Sequence, residues 1–417
     1  MANDKIKNVF GRELMDSKGR PMIEVEVECE NGVTARAASP CGTSVGSYET
    51  YVLRDGGDRY NGLGTRTAVD HVEKIIGPEL RGLHAGNQLA IDNKLIALDG
   101  TADKRRLGGN TIYSTSVAVA RAASAVKDSP LFKHLKQSST YHLPKPMLNV
   151  INGGKYGDVD CSVQEFLLIP TAAATFSEAF RQSVEIFYAI KRILVEKLGS
   201  QRLFIGNSLG HAAPFTETAK NIELLLSAVE AAGYKGCFDI GLDCAASEFY
   251  DPAEKKYRVD GKRLTREELE TFWLSLIERY PLKFMEDPFH EDDFDAHIGL
   301  TRQTDILITG DDLFATNPNR LKQAAETGCC NSLIFKPNMI GTVSEALEVA
   351  EIAQQHDYEI IPSIRSGGGV DDPIADFAVA VGAKLIKCGA PRSGERIAVQ
   401  NDLIRFEGIY EIGMAKS

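Results

Sequence analysis

Six short apolar stretches in the second half of the chain each end on a charged residue, and the spacing of those charges restricts the fold more than any other feature. The stretches cover residues 237–243, 283–286, 306–311, 333–336, 359–365 and 385–387, and they end on Asp243, Glu286, Asp311, Lys336, Arg365 and Lys387. The charges follow one another at 43, 25, 25, 29 and 22 residues. Such gaps hold one helix and two short loops between successive strands, the repeat of a parallel βα barrel. In a barrel of this kind, side chains at the C-terminal strand ends converge on one pocket. Three carboxylates followed by three cations therefore predict a single site.

The residue types carry a chemical message. Asp243, Glu286 and Asp311 are hard oxygen donors from three successive strand ends, a set suited to Mg²⁺, which takes a few carboxylates together with water and substrate oxygens. Lys336 and Lys387 face them from the other side of the ring. A lysine beside a dication and a second lysine can lose enough proton affinity to act as a base, while its neighbour pairs with a substrate carboxylate. The net charge of −11 in 417 residues argues against a general role on nucleic acid or a membrane surface, because phosphate backbones and anionic lipids attract basic patches. A small anionic substrate remains compatible, since local cations can reverse the field in one pocket. Eight cysteines without paired CxxC spacing predict reduced, buried thiols. With no apolar run of 18 residues and a polar start at residues 1–8, a cytoplasmic location is expected.

The first third reads differently. Residues 21–31 alternate through Ile23, Val25 and Val27, and residues 33–38 supply a hairpin partner across Asn31-Gly32. Helical spacing follows in 67–76, 89–98 and 110–126. A sheet followed by helices predicts an α+β cap over residues 1–140, with the barrel in 141–417 and the proline-bearing stretch 142–146 at the junction. Residues 147–151 and 165–170 read as further strands, joined through a glycine-rich loop at 152–157, and residues 176–198 as a long amphipathic helix.

Beyond these patterns the chain resembles the enolase family. The resemblance rests on Gly11-Arg12-Glu13, Gln164-Glu165-Phe166, Leu242-Asp243, Glu286-Asp287-Pro288, Gly310-Asp311-Asp312, Lys336-x-Asn338, Arg365-Ser366-Gly367 and Ile386-Lys387-x-Gly389-Ala390-Pro391, in order along nearly the whole chain. It implies an α/β fold, a modified (β/α)8 TIM barrel under an N-terminal α+β capping domain, and a homodimer or higher homo-oligomer. It also implies two Mg²⁺ ions acting on a 2-phosphoglycerate or phosphoenolpyruvate type of substrate. Matched position by position, Asp243, Glu286 and Asp311 resemble ligands of the first metal and Ser44 a ligand of the second. Lys336 resembles the base, Lys387 the partner of the substrate carboxylate, Arg365 and Ser366 the phosphate contacts, and Gln164 and Glu165 further polar groups of the site. The superfamily logic is a basic residue that removes a proton next to a carboxylate while Mg²⁺ stabilises the resulting charge.

Three positions depart from the family pattern. Ser208 stands where the family has a glutamate that works on the leaving hydroxyl, Ile364 stands where it has a histidine, and Lys155-Tyr156 replaces a Ser-His pair. A serine hydroxyl is far too weak an acid to replace the glutamate. His211, three residues on, is a candidate substitute. The run Gly367-Gly368-Gly369 suggests extra room at the phosphate end, where Lys155 and Tyr156 are candidates to bind an added anionic or aromatic group. On these departures the expected function is altered chemistry at the phosphorus or hydroxyl end, specifically that of a carboxyphosphonoenolpyruvate synthase in phosphonate biosynthesis using a nucleotide-activated co-substrate. The alternatives are phosphopyruvate hydratase and an inactive paralogue kept as a binding protein.

Overall fold

The computed structural model describes residues 3–42, 46–157, 159–200 and 203–415. Its N-terminal sheet has three antiparallel strands, β1 (Ile6–Met15), β2 (Pro21–Cys29) and β3 (Thr34–Ala38). The alternation of Ile23, Val25 and Val27 buries one face of β2, as the sequence pattern implies. β1 carries no such alternation and escapes sequence reading, although its pairing with β2 runs from Ile6 to Met15. Behind this sheet lies the helix Gly109–Val126, buried over most of its length. Its Ala, Ser and Thr side chains are small enough to let the helix approach the strands closely.

The barrel is a ring. β4 (Lys145–Asn152) pairs with β5 (Glu165–Pro170) and, at Ile151 and Asn152 on its other edge, with the two-residue β6 (His211–Ala212). After β7 (Phe238–Asp243) a small antiparallel meander intervenes, β8 (Tyr250–Asp251), β9 (Lys256–Val259) and β10 (Lys262–Leu264). The remaining staves are β11 (Leu282–Glu286), β12 (Leu307–Gly310), β13 (Ser332–Phe335), β14 (Glu359–Pro362) and β15 (Leu385–Lys387). The order β14-β13-β12-β11-β7-β5-β4-β15 closes through a bridge between Ser363 and Lys387. All six stretches identified from their terminal charges are therefore staves of one barrel.

The expectation of a purely parallel repeat fails at one strand. β5 runs antiparallel to both β4 and β7. The short connection from β4 allows this, since an antiparallel pair needs no crossover helix. The reversal places the start of β5, not its end, at the functional rim, so Gln164 and Glu165 join residues that end the other strands. Met147, Leu167, Ile169, Phe284, Ile334 and Ile361 form the apolar plug inside the ring.

The cap is fastened to the barrel by buried polar contacts. Asp92 Oδ2 accepts from the Ser344 N–H at 2.9 Å and from its hydroxyl at 2.7 Å, at the start of the helix Val343–Gln355. An anion there meets the positive end of the helix dipole. Lys104 pairs with Glu345 at 2.8 Å on the same helix. Among the described residues no helix is long and apolar enough to cross a membrane.

Candidate active site

Register brings the carboxylates together. Glu165 lies opposite Asp243 on neighbouring strands, and Asp243 opposite Glu286 on the next. Adjacent strands stand about 4.8 Å apart, so three like charges side by side would repel strongly without a countercharge. Lys387, at the end of β15 across the ring, supplies it: Nζ lies 2.7 Å from Asp243 Oδ2, 2.7 Å from Glu286 Oε2 and 3.0 Å from Glu165 Oε2. Burial alone would push the Lys387 ammonium down, but the charges of Asp243, Glu165 and Glu286 outweigh it and hold the group well above its ordinary range. Burial drives Glu286 well up, and the Asp243 charge adds to it. Asp243 is also raised by burial, against the pull of Lys387.

Asp311 follows β12 and is paired with Lys336, which follows β13. Burial opposes ionisation of both groups, and their mutual attraction overcomes it: Asp311 is held below the usual carboxylate range and Lys336 above the usual lysine range. The second oxygen, Asp311 Oδ1, is buried and has no hydrogen-bond partner. Asp287 and Asp312 add two more carboxylates within 4.8 Å of Asp311. Asp287 is a loop-shaping group, since its two oxygens accept the backbone N–H groups of Asp311 and Asp312 at 2.9 and 2.8 Å. Burial and the Asp311 charge push Asp312 up to about 7. Crowded hard-oxygen donors that outnumber the cations, one of them with an orphaned oxygen, form a donor set that fits Mg²⁺.

Arg365 follows β14 and donates to Glu49 of the cap through both terminal nitrogens, at 2.7 and 3.2 Å. Gly42, at φ +64°, is needed here: a Cβ would fall 2.2 Å from Arg365 Nη2. Ser366 lines the same cavity, its hydroxyl buried without a partner. Gln164 reaches Asp243 Oδ2 at 3.3 Å. The cavity is small, about 50 Å³, because these charged side chains fill it. Ser44 lies outside the described residues.

Of the four residues expected to depart from the family pattern, Ser208, Tyr156 and Ile364 line the cavity. Ser208 donates to Glu165 Oε1 at 2.7 Å, and Asn149 donates to the same oxygen at 2.7 Å. Tyr156 and Ile364 line the cavity beside them. Burial, reinforced by Glu165 and Asp243, pushes the Tyr156 phenol up, so it stays protonated. Lys155 does not reach the cavity; it makes an exposed ion pair with Glu248 at 2.9 Å.

His211 does not reach it either. Its pairing with Ile151 turns the ring onto Phe187, 4.4 Å between centroids, and burial lowers its pKa to about 4. A neutral, stacked imidazole away from the cavity cannot serve as the acid it was expected to supply. The glycine run also fails to enlarge the pocket: a Cβ on Gly367 would meet Arg20 and Asp16, one on Gly368 Pro40, and one on Gly369 Asp371 and Met22. Gly367 admits cap side chains, Gly369 meets Asp371 of the barrel as well as Met22, and none of the three lines the cavity.

Sequence reasoning missed Glu49, Asn149 and Arg396. Glu49 and Asn149 are far in sequence from the residues they hold, and Arg396 sits in the helix Gly394–Tyr410 with no motif of its own. For Asp312 a signal existed in the doubled aspartate after β12.

Comparison with known proteins agrees along the whole length. Residues 6–135 match the family model described as the enolase N-terminal domain, and residues 140–415 match that of the enolase C-terminal TIM barrel domain. The chain is 43% identical over 412 residues to a protein named Enolase from Methanocaldococcus jannaschii, covering 99% of this chain and 96% of that one. It is 44% identical over 407 residues to the Enolase of Methanopyrus kandleri, covering 97% and 95%. With the Enolase of Thermococcus gammatolerans the figures are 43%, 97% and 94%. These relatives overturn the expectation of a carboxyphosphonoenolpyruvate synthase: near full-length similarity at this level is to proteins named Enolase, and the nucleotide-activated co-substrate expected with that reading has no support. The pocket agrees, because none of the glycines expected to make room for a larger substrate lines it.

Proposed function

The chain belongs to the enolase family, and from that premise we propose that it is a phosphopyruvate hydratase, interconverting 2-phosphoglycerate and phosphoenolpyruvate in a Mg²⁺-dependent reaction. The observation that carries this reading is the near full-length similarity to proteins named Enolase, together with the gathering of Asp243, Glu286, Asp311, Lys336, Arg365 and Lys387 around one cavity.

Asp243, Glu286 and Asp311 would hold the metal. When bound, Mg²⁺ supplies positive charge to the substrate carboxylate and so acidifies the neighbouring C–H. Lys336 takes the proton from C2. For this the lysine must shed its own proton, and its pairing with Asp311 opposes that, so Asp311 has to turn away from Lys336 before the lysine can serve as a base. Lys387, released from its three carboxylates, pairs with the substrate carboxylate. Arg365 binds phosphate with the planar fork that now grips Glu49, and Ser366 offers its unpartnered hydroxyl. At the hydroxyl end Ser208 is too weak an acid to give the departing oxygen its proton. Glu165, 2.7 Å from the Ser208 hydroxyl, is the carboxyl group that remains there; it takes up a proton from solvent and passes it to the departing hydroxyl, which leaves as water. The proton removed from C2 leaves through Lys336, so one proton is released and one consumed per water eliminated.

The test is direct. Purified protein with Mg²⁺ and 2-phosphoglycerate should generate phosphoenolpyruvate, read by a coupled assay. Absence of turnover at saturating substrate and metal would sink the reading.

A further inference from the structure

Four cations line the cavity, and three are neutralised by carboxylates within hydrogen-bonding distance: Lys336 by Asp311, Arg365 by Glu49, Lys387 by Glu165, Asp243 and Glu286. Arg396 differs. Its side chain is 3% exposed, yet the nearest carboxylate oxygen, Glu395 Oε1, stands 3.7 Å from Nε, beyond hydrogen-bonding reach. Nε is buried with no partner, and Nη2 donates at 3.2 Å to the neutral hydroxyl of Ser208. A buried guanidinium left in this condition is costly, since its desolvation is only partly offset by the charges of Glu165 and Glu395, neither of which accepts a hydrogen bond from it.

The surroundings aim it into the pocket. Gly389, at φ +67°, leaves the space that a Cβ would take from Arg396 Nη1 at 2.1 Å, and both residues line the cavity wall together with Ser208 and Ile364. The apolar Ile364 offers the guanidinium no acceptor. The forked donors of Arg396 are therefore held in the cavity wall with charge to spare.

We propose that Arg396 is a substrate-binding residue of this pocket, taking an anionic oxygen of the substrate. Its chemistry selects a phosphate or carboxylate group, to which a guanidinium can donate two parallel hydrogen bonds. The inference rests on the proposed hydratase reading for its choice of probe, phosphoenolpyruvate.

The experiment measures binding of phosphoenolpyruvate and, separately, of inorganic phosphate to the Mg²⁺-loaded protein by calorimetry, for wild type, Arg396→Met and Arg396→Lys. Losing a charged hydrogen bond should weaken phosphoenolpyruvate by about 10- to 100-fold in Arg396→Met. Arg396→Lys, which keeps the charge without the fork, should recover part of that loss. Weakening of both ligands assigns Arg396 to the phosphate, and weakening of phosphoenolpyruvate alone assigns it to the carboxylate. Should Arg396→Met fail to fold, Arg396→Lys still reads the loss of the fork, expected at a few-fold. Folded variants that bind phosphoenolpyruvate within twofold of wild type would overturn the assignment. Wild-type turnover is scored separately: a protein that binds phosphoenolpyruvate but does not turn over 2-phosphoglycerate refutes the hydratase reading and leaves the test of Arg396 intact.

Discussion

The two sides of the cavity solve the problem of buried charge in opposite ways. On the side of β7, β11 and β12, carboxylates are crowded beyond what the lysines can balance, and a divalent cation fits the surplus. On the wall built by Ser208, Ile364 and Gly389, the surplus is positive and resides on Arg396. The lesson is that each half is complementary to part of a ligand set: metal on one side, anionic substrate on the other. Neither half is balanced alone, which is the condition for binding both.

The comparison can be broken from the metal side first. A chelator should abolish turnover of 2-phosphoglycerate, and Mg²⁺ at a hundredfold over its Kd should stabilise the fold by about 2.7 kcal/mol in a thermal melt. Asp311→Ala should lose that stabilisation; if the melt of Asp311→Ala still responds to Mg²⁺ as wild type does, the donor set is misassigned. Next in size is Lys336→Met, expected to lower kcat by about 10³-fold, within the range for removal of a general base. Glu165→Gln on the opposite wall should cost about 10²-fold in kcat, and a near-normal value would return the proton-delivery role to another group.

A smaller effect concerns stability. His211 and His297 are buried, and burial lowers the pKa of each to about 4. The unfolded chain, with a histidine pKa near 6.5, binds more protons than the folded one below that pH. Their stabilising contribution is therefore complete above about pH 6.5 and is lost as pH falls toward 4, by about 3 kcal/mol for each histidine. Denaturation melts of His211→Phe against wild type should show a shallower acid slope, while kcat at neutral pH stays unchanged. The smallest expected change is Ser208→Ala, which removes the hydrogen bond to Glu165 and the acceptor of Arg396 Nη2 and should cost about 1 to 2 kcal/mol, roughly a 5- to 30-fold drop in kcat.

Much of this site was readable in one dimension. Asp243, Glu286, Asp311, Lys336, Arg365 and Lys387 announced themselves because strand ends in a repeating βα unit carry chemistry at a constant rim. Gln164 and Glu165 could be found only by resemblance, since β5 runs backwards and its rim residues begin the strand instead of ending it. His211 misled because proximity in sequence to Ser208 says nothing about direction: one bridge to Ile151 turned it onto Phe187. The glycine run 367–369 misled for a similar reason: Arg20 and Asp16 of the cap crowd Gly367, and none of the three glycines lines the cavity.

The sequence by itself determined the barrel, its metal-suited carboxylates and its cationic rim, because periodicity and residue chemistry are local properties repeated along the chain. Only the tertiary structure decided which charges neutralise one another. Glu49 on Arg365, the three carboxylates on Lys387 and the buried fork of Arg396 are outcomes of packing between segments far apart in sequence, and the strength of such pairings depends on burial and distance, which no linear pattern records.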